Sequence, residues 1–131
     1  MHKSISTNKV LNNNSIVCKM NFKKRSIHFT GDIEKIAEEK IIEIFHGKKI
    51  KCDILKIAHH GSKSSSIQEF LKVASPKIAL IGVGINNKFG HPDSEVINRL
   101  KKENVKIYRT DINGEVETKI YRNGIIKILN K

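Results

Sequence analysis

Residues 54–58, Ile-Leu-Lys-Ile-Ala, form a short apolar run that stops at two adjacent histidines, His59 and His60, followed by Gly61-Ser62-Lys63-Ser64-Ser65-Ser66. A run this short, opened by Asp53 and closed by a Gly/Ser tract, predicts a buried strand that delivers two imidazoles to a sheet edge. Imidazole is the commonest protein metal ligand and titrates near neutral pH. The same grammar occurs once earlier, where Ser26-Ile27-His28-Phe29-Thr30 runs into Gly31 and Asp32 before a helical pattern starts. A carboxylate and two imidazoles at neighbouring strand ends suit a metal site.

Around that stretch the periodicity alternates between two and about 3.6 residues. Ile16, Cys18, Met20 and Phe22 alternate with Val17, Lys19 and Asn21, which predicts a strand with one apolar face; Lys23-Lys24-Arg25 is the connection to a return strand over 26–30. Ile33, Ile36, Ala37, Ile41, Ile44 and Phe45 then share one helical face, with Asp32 at the N-cap and Gly47 as the stop. Past the central strand, Ser66-Ile67-Gln68-Glu69 has capping-box spacing ahead of the stripe Ile67, Phe70, Leu71 and Ala74. The run Ile78 to Val83 reads as a strand buried on both faces. Asp93 or Ser94 caps a third helix with Val96, Ile97 and Leu100 inward, and Lys106 to Thr110 is a further strand. Asn113-Gly114 and Asn123-Gly124 are turn signals that divide the tail into a hairpin, with strands near 115–121 and 125–129. The chain is therefore α/β, a mixed β-sheet with about three helices and a C-terminal hairpin. Its loops after each strand share one edge, where such sheets bind ligands.

At 131 residues there is room for one domain. Residues 1–11 are polar and aperiodic and read as a disordered lead-in. No apolar stretch approaches the roughly 20 residues of a membrane span, and no secretory signal is visible at the start. Cys18 and Cys52 match no zinc or disulfide spacing and read as small core residues. The net charge of +12 favours a polyanion such as nucleic acid. A Lys/Ile/Asn bias common to a whole proteome gives the same number, and with no Trp and two Tyr a base-stacking platform is poorly supplied.

Each candidate residue has a plainer reading. Asp32 serves equally as a helix cap. His2, His28 and His46 read as ordinary surface or core residues, whereas the His59-His60 pair ahead of Gly61-Ser62 is a functional candidate. His91, between Gly90 and Pro92, lies in a loop longer than its connection needs. Ser62, Lys63 and Ser64 could donate hydrogen bonds to a phosphate or simply form a polar loop.

Several segments in order carry a resemblance: Asn12-Asn13-Asn14-Ser15-Ile16-Val17, Phe29-Thr30-Gly31-Asp32-Ile33-Glu34, Leu55 through Ser65, Gly90-His91-Pro92 and Tyr108-Arg109-Thr110-Asp111. Together they resemble the carboxy-terminal half of the metallo-β-lactamase-fold domain of ComEC-type competence (DNA-uptake) proteins, from Asn12 to about Gly114. The resemblance implies half of an αββα sandwich whose two halves meet at a binuclear metal site, usually zinc, with manganese as an alternative. It implies Asp32 as the bridging metal ligand, His60 as the final histidine ligand, and His59 and His91 as groups that act on substrate or a proton. Ser62, Lys63 and Asn87 are then substrate-binding candidates.

This family opens its domain with a His-x-His-x-Asp-His cluster, and no such cluster occurs in the chain. The resemblance therefore implies a partial domain that binds one metal ion or none. A partner chain, the missing N-terminal half or a second copy would complete it. The chemistry implied for the complete domain is metal-assisted phosphodiester hydrolysis with DNA as substrate. Two alternatives stand beside it: a non-catalytic nucleic-acid-binding or assembly module, and a hydrolase of another phosphoester. The family setting places the domain on the extracytoplasmic face of a bacterial membrane; a stand-alone chain would be cytoplasmic.

Overall fold

The computed structural model describes residues 11–130. Five strands form one sheet in the order β1 (Cys18–Phe22), β2 (Arg25–Phe29), β3 (Ile54–Lys56), β4 (Ile78–Ile81) and β5 (Lys106–Arg109). β1 is antiparallel to β2, and β2 to β5 run parallel. Helices α1 (Lys35–Ile44), α2 (Gln68–Ala74) and α3 (Ser94–Lys102) fill the crossovers. A single helical turn, α4 (Thr110–Asn113), leads to the antiparallel hairpin β6 (Val116–Ile120) and β7 (Ile126–Asn130). The expected α/β order and terminal hairpin are both present. The lead-in over 1–11 lies outside the described residues except for Leu11.

Crossovers between parallel strands turn right-handed, so successive ones in one direction land their helices on the same face. The core shows this arrangement. Phe70 and Leu71 of α2 and Val96 and Leu100 of α3 pack with Leu55, Ala79 and Ile81 of the sheet, and Ile41 and Ile42 of α1 join at the margin. The other face carries the register row Met20, Ile27, Ile54 and Ile78 and the row Cys18, Phe29, Lys56, Leu80 and Tyr108. There Ile27 and Ile54 are buried, while Met20, Phe22 and Phe29 are 46, 40 and 40% exposed. Two expectations change accordingly. β4 is buried through Ala79 and Ile81 but only partly through Ile78 and Leu80, and Cys18 is exposed while Cys52 lies in the core.

α1 differs most from its expected pattern. It starts at Lys35 with Glu34 at the N-cap, so Asp32 is not the cap. Ile36 and Ile44, expected inward, are 57 and 55% exposed, and Glu38 is fully buried in their place. The reason is hydrogen bonding. The Glu38 carboxylate accepts the N–H groups of Ser66 at 2.5 Å and Ile67 at 2.9 Å, two of the unpaired donors at the start of α2. A carboxylate from a neighbouring helix thus does the work expected of a Ser66–Glu69 capping box, and the apolar stripe rotates toward solvent to bring it in.

Burial pushes the Glu38 carboxyl up from 4.5 to about 7, against the pull of those two N–H groups. A folded-state pKa above the unfolded one binds the proton more tightly in the folded protein, so stability is greatest below about 4.5 and falls as pH rises toward 7. The gap amounts to roughly 3 kcal/mol at about 1.4 kcal/mol per pKa unit. In Glu38→Gln, neutral throughout, this slope is absent. Denaturant titrations across that interval should show the wild type losing stability relative to the variant as pH rises; parallel curves would refute the assignment.

Candidate functional site at the carboxyl edge of the sheet

β3 runs through Ile57 into a tight turn over Ala58–Gly61. His59 (φ 49°, ψ 43°) and His60 (φ 54°, ψ 22°) both adopt left-handed conformations, followed by Gly61 at φ 84°. Such geometry costs a non-glycine residue about 1 kcal/mol or more and persists only where the surroundings over-determine it. They do so here from three sides. The His59 N–H donates to the Gly31 carbonyl at 3.0 Å, Ser62 N–H donates to the His59 carbonyl at 2.9 Å, and Asp93 N–H donates to the Gly61 carbonyl at 2.9 Å. A Cβ on Gly61 would stand 2.6 Å from Pro92 Cβ, so only glycine lets the 84–93 loop close over the turn. Thr110 Oγ1 ties the neighbouring loop down, donating to the Val83 carbonyl at 2.8 Å and accepting its N–H at 2.7 Å.

The turn aims the two imidazoles differently. His60 Nδ1 lies 2.6 Å from the Gly82 carbonyl, which can only accept, so Nδ1 carries the proton and Nε2 presents its lone pair outward. His59 Nδ1 is buried without a hydrogen bond, 3.8 Å from Glu34 Oε1. Its ring meets the His91 ring edge-on at 5.8 Å, and His91 stacks on Phe89 at 5.9 Å. Burial, then the His59 and His60 imidazoles, hold His91 below the usual histidine pKa, so it is neutral at physiological pH. His60 and His91 face a cavity of about 190 Å³ shared with Val83, Gly84, Asn87 and Phe89.

Asp32 reaches the same edge, its N–H donating to Ser15 Oγ at 3.1 Å. Gly31 allows this approach: at φ 54° it has no Cβ, which would stand 2.9 Å from Ser15 Cβ. The other candidates are placed less directly. Asn87 accepts the His91 N–H at 2.8 Å and donates to the His91 carbonyl at 2.6 Å, so its amide holds the loop that carries His91. Ser62 Oγ and Ser64 Oγ bond each other at 2.9 Å. Lys63 is exposed and lines a separate cleft of about 490 Å³ with Glu34, Gln68 and Arg99, away from the His60–His91 cavity. Of the remaining histidines, His28 is a core residue with Nδ1 unbonded, His46 is exposed, and His2 lies outside the described residues.

Two groups escaped the sequence reading. Glu34 is buried beside His59, accepts the Asn12 amide at 3.0 Å, and takes the Asn13 side chain on its own N–H at 3.0 Å. Lys56 sits on the helix-free face at the end of β3; its Nζ bonds the Ile57 carbonyl at 3.2 Å and its stem passes Gly82, where a Cβ would be 3.6 Å from Cε. Burial holds the Lys56 pKa down while the Asp32 carboxylate raises it. A charge inside the run Ile54–Ala58 was the visible signal for Lys56.

The chemistry on this edge is two carboxylates, Asp32 and Glu34, three imidazoles and an ammonium group. Among the described residues no set of three or more His, Cys, Asp and Glu side chains is placed to hold a metal ion, so Asp32 and His60 do not make a metal centre by themselves. By fold the chain belongs to the α/β class with a largely parallel sheet, and its candidate residues stand at the carboxyl ends of those strands.

Known proteins narrow that class. No protein-family model matches the chain. It is 39% identical over 114 residues to ComE operon protein 3 of Bacillus subtilis (strain 168), covering 87% of this chain and 14% of that protein. Competence protein ComA of Neisseria gonorrhoeae is 33% identical over 96 residues, 73% of this chain and 14% of the relative. Recombination protein 2 of Haemophilus influenzae is 31% identical over 114 residues, again 87% and 14%. These homologues indicate a competence-protein family, and the chain spans about one-seventh of the length of the curated relatives it matches.

Two substitutions check the geometry. Gly61→Ala should lower stability by roughly 1–3 kcal/mol through overpacking against Pro92, and it should move the His91 ring signals and pKa in NMR titration; an unperturbed His91 would dissociate the two loops. Lys56→Met removes a half-buried ammonium held at a cost, so its thermal midpoint should rise. A fall would mean that Lys56 is a structural partner of Asp32.

Proposed function

We propose that this chain is the carboxy-terminal half of a metallo-β-lactamase-like, metal-dependent phosphodiesterase domain that acts on DNA in competence. One observation carries the reading: three separate strand ends bring Asp32, His59-His60 and His91 to one edge of the sheet, around turns that accept backbone strain to do so. The competence names of the relatives support the setting.

In this reading Asp32 and His60 are donated to a metal centre completed by ligands beyond the described residues, zinc or manganese being the expected ion. The ion supplies Lewis acidity and a water of lowered pKa. The chain's own residues prepare the site. The Gly82 carbonyl fixes the His60 tautomer with Nε2 outward. Neutral His91 can accept a proton beside the cavity, with Phe89 holding its ring. Lys56 offers a positive charge near Asp32 that could meet a phosphate, and Ser62 and Lys63 flank the turn.

The net charge of +12 supports a second reading, a nucleic-acid-binding or assembly module without catalysis. Calorimetric titration with Zn2+ or Mn2+, run beside cleavage of a DNA oligonucleotide, separates the two. The first reading expects metal affinity and metal-dependent cleavage to drop at least tenfold in Asp32→Ala and in His60→Ala. Equal metal affinity and equal cleavage in all three proteins would remove it and leave the binding module.

A further inference from the structure

We infer that the opposite edge of the sheet, where the parallel strands begin, is a binding track for a nucleic-acid phosphate backbone, distinct from the histidine edge. The inference rests on the DNA-directed reading above. The β1–β2 turn puts Lys23 and Lys24 on this edge, and the connection entering β3 adds Lys48, Lys49 and Lys51. Lys77 and Lys106 stand at the starts of β4 and β5, joined by the Lys106 N–H donating to the Lys77 carbonyl at 3.0 Å. α3 ends on the same edge with Lys101 and Lys102. Each of these lysines is exposed, and none forms an ion pair among the described residues.

Compositional bias does not produce this segregation. Acidic side chains instead mark the starts of the helices, at Glu34, Glu69, Asp93 and Glu95, and Glu43, near the end of α1, is paired with Lys40 at 3.7 Å. On the lysine edge Asp53 is already paired with Arg25 at 3.2 Å, and Glu103 receives the Gln68 amide at 2.7 Å. Helix dipoles favour cations at helix ends and account for Lys101 and Lys102. They do not account for lysines in turns and at strand starts.

The lysine-rich connection is also built around a further cation. Lys19 Nζ reaches the carbonyls of Lys48 at 3.2 Å, Lys49 at 3.5 Å and Lys51 at 2.8 Å, which orders that segment about an ammonium group. Concentrating like charges raises the self-repulsion of the folded chain, which a polyanion relieves. Five strands spaced about 4.8 Å apart span roughly 19 Å, the length of about six phosphates of one strand. Membrane docking needs apolar anchors among the charges. The four most exposed large apolar residues, Ile16, Phe89, Ile85 and Ile112, lie at the histidine edge; Phe22, Ile44 and Phe45, 40 to 55% exposed, stand beside the lysines, with the Lys49 ammonium 5.9 Å from the Phe45 ring, so the vesicle arm of the test below carries the distinction.

Fluorescence anisotropy with a labelled 20-nucleotide DNA, titrated over a range of salt, tests the track on the full chain. Relative to wild type, the triple variant Lys48→Gln/Lys49→Gln/Lys51→Gln should weaken binding and flatten the slope of log affinity against log salt by roughly 2 to 3. The control pair Lys35→Gln/Lys88→Gln, at the start of α1 and in the 84–93 loop, removes two charges at the histidine edge and should move the slope less. No DNA binding at low salt, an unchanged slope in the triple variant, or an equal effect per charge in the control pair would overturn the inference. So would lysine-dependent binding to vesicles of anionic phospholipid without binding to DNA. Loss of the cleavage reading leaves the salt slope in place, and loss of the slope leaves cleavage at the other edge in place, so the two failures are distinguishable.

Discussion

The hydrogen bond from the His59 N–H to the Gly31 carbonyl joins the ends of two parallel strands at the point where the chain leaves the sheet in a left-handed turn. Asp32 follows Gly31 and His60 follows His59, so this one backbone contact fixes the relative position of the two strand ends that carry them. The left-handed conformations of His59 and His60 are held by it, by Ser62 and by Asp93, and the loop bearing His91 closes only because Gly61 has no side chain. Strain here is local, and the short parallel strands behind it absorb it without losing register.

Charge placement follows the same economy of position. Glu38 is carried into the interior to pair with two N–H groups at the start of α2, which rotates α1 and exposes Ile36 and Ile44. Lys56 is likewise half-buried on the helix-free face beside Asp32. Neither charge is explained by packing alone. The first couples helix to helix; the second lies in the candidate site.

Much of the fold was legible in the residues. Period-two and period-3.6 segments gave the element order, Asp93 caps α3 by accepting the Glu95 N–H at 2.9 Å as expected, and the apolar run ending at His59-His60 is the central strand. What failed was tertiary in origin. The apolar stripe of α1 could not reveal that Glu38 is bonded to the start of a distant helix, and the expected cap at Asp32 falls two residues on, at Glu34. The alternation in β1 marked an apolar face without saying whether anything covers it, and Met20 and Phe22 are substantially exposed. In the candidate site, Asp32, His59, His60 and His91 could be named from strand ends. Glu34 could not, because its approach to His59 depends on Asn12 and Asn13 folding across it.

The parallel strands are unusually short, three residues in β3 and four in β4. At about 3.3 Å per residue the two edges of the sheet are then only some 13 Å apart. The sheet is in effect a fixed spacer, and its length is comparable to about four nucleotides of one strand. A polymer that touched both edges would have to bend around the flank of the domain, and the contour of that path would be set by the number of residues per strand. Lengthening β3 and β4 by two residues each would preserve every side-chain orientation while changing that distance by about half.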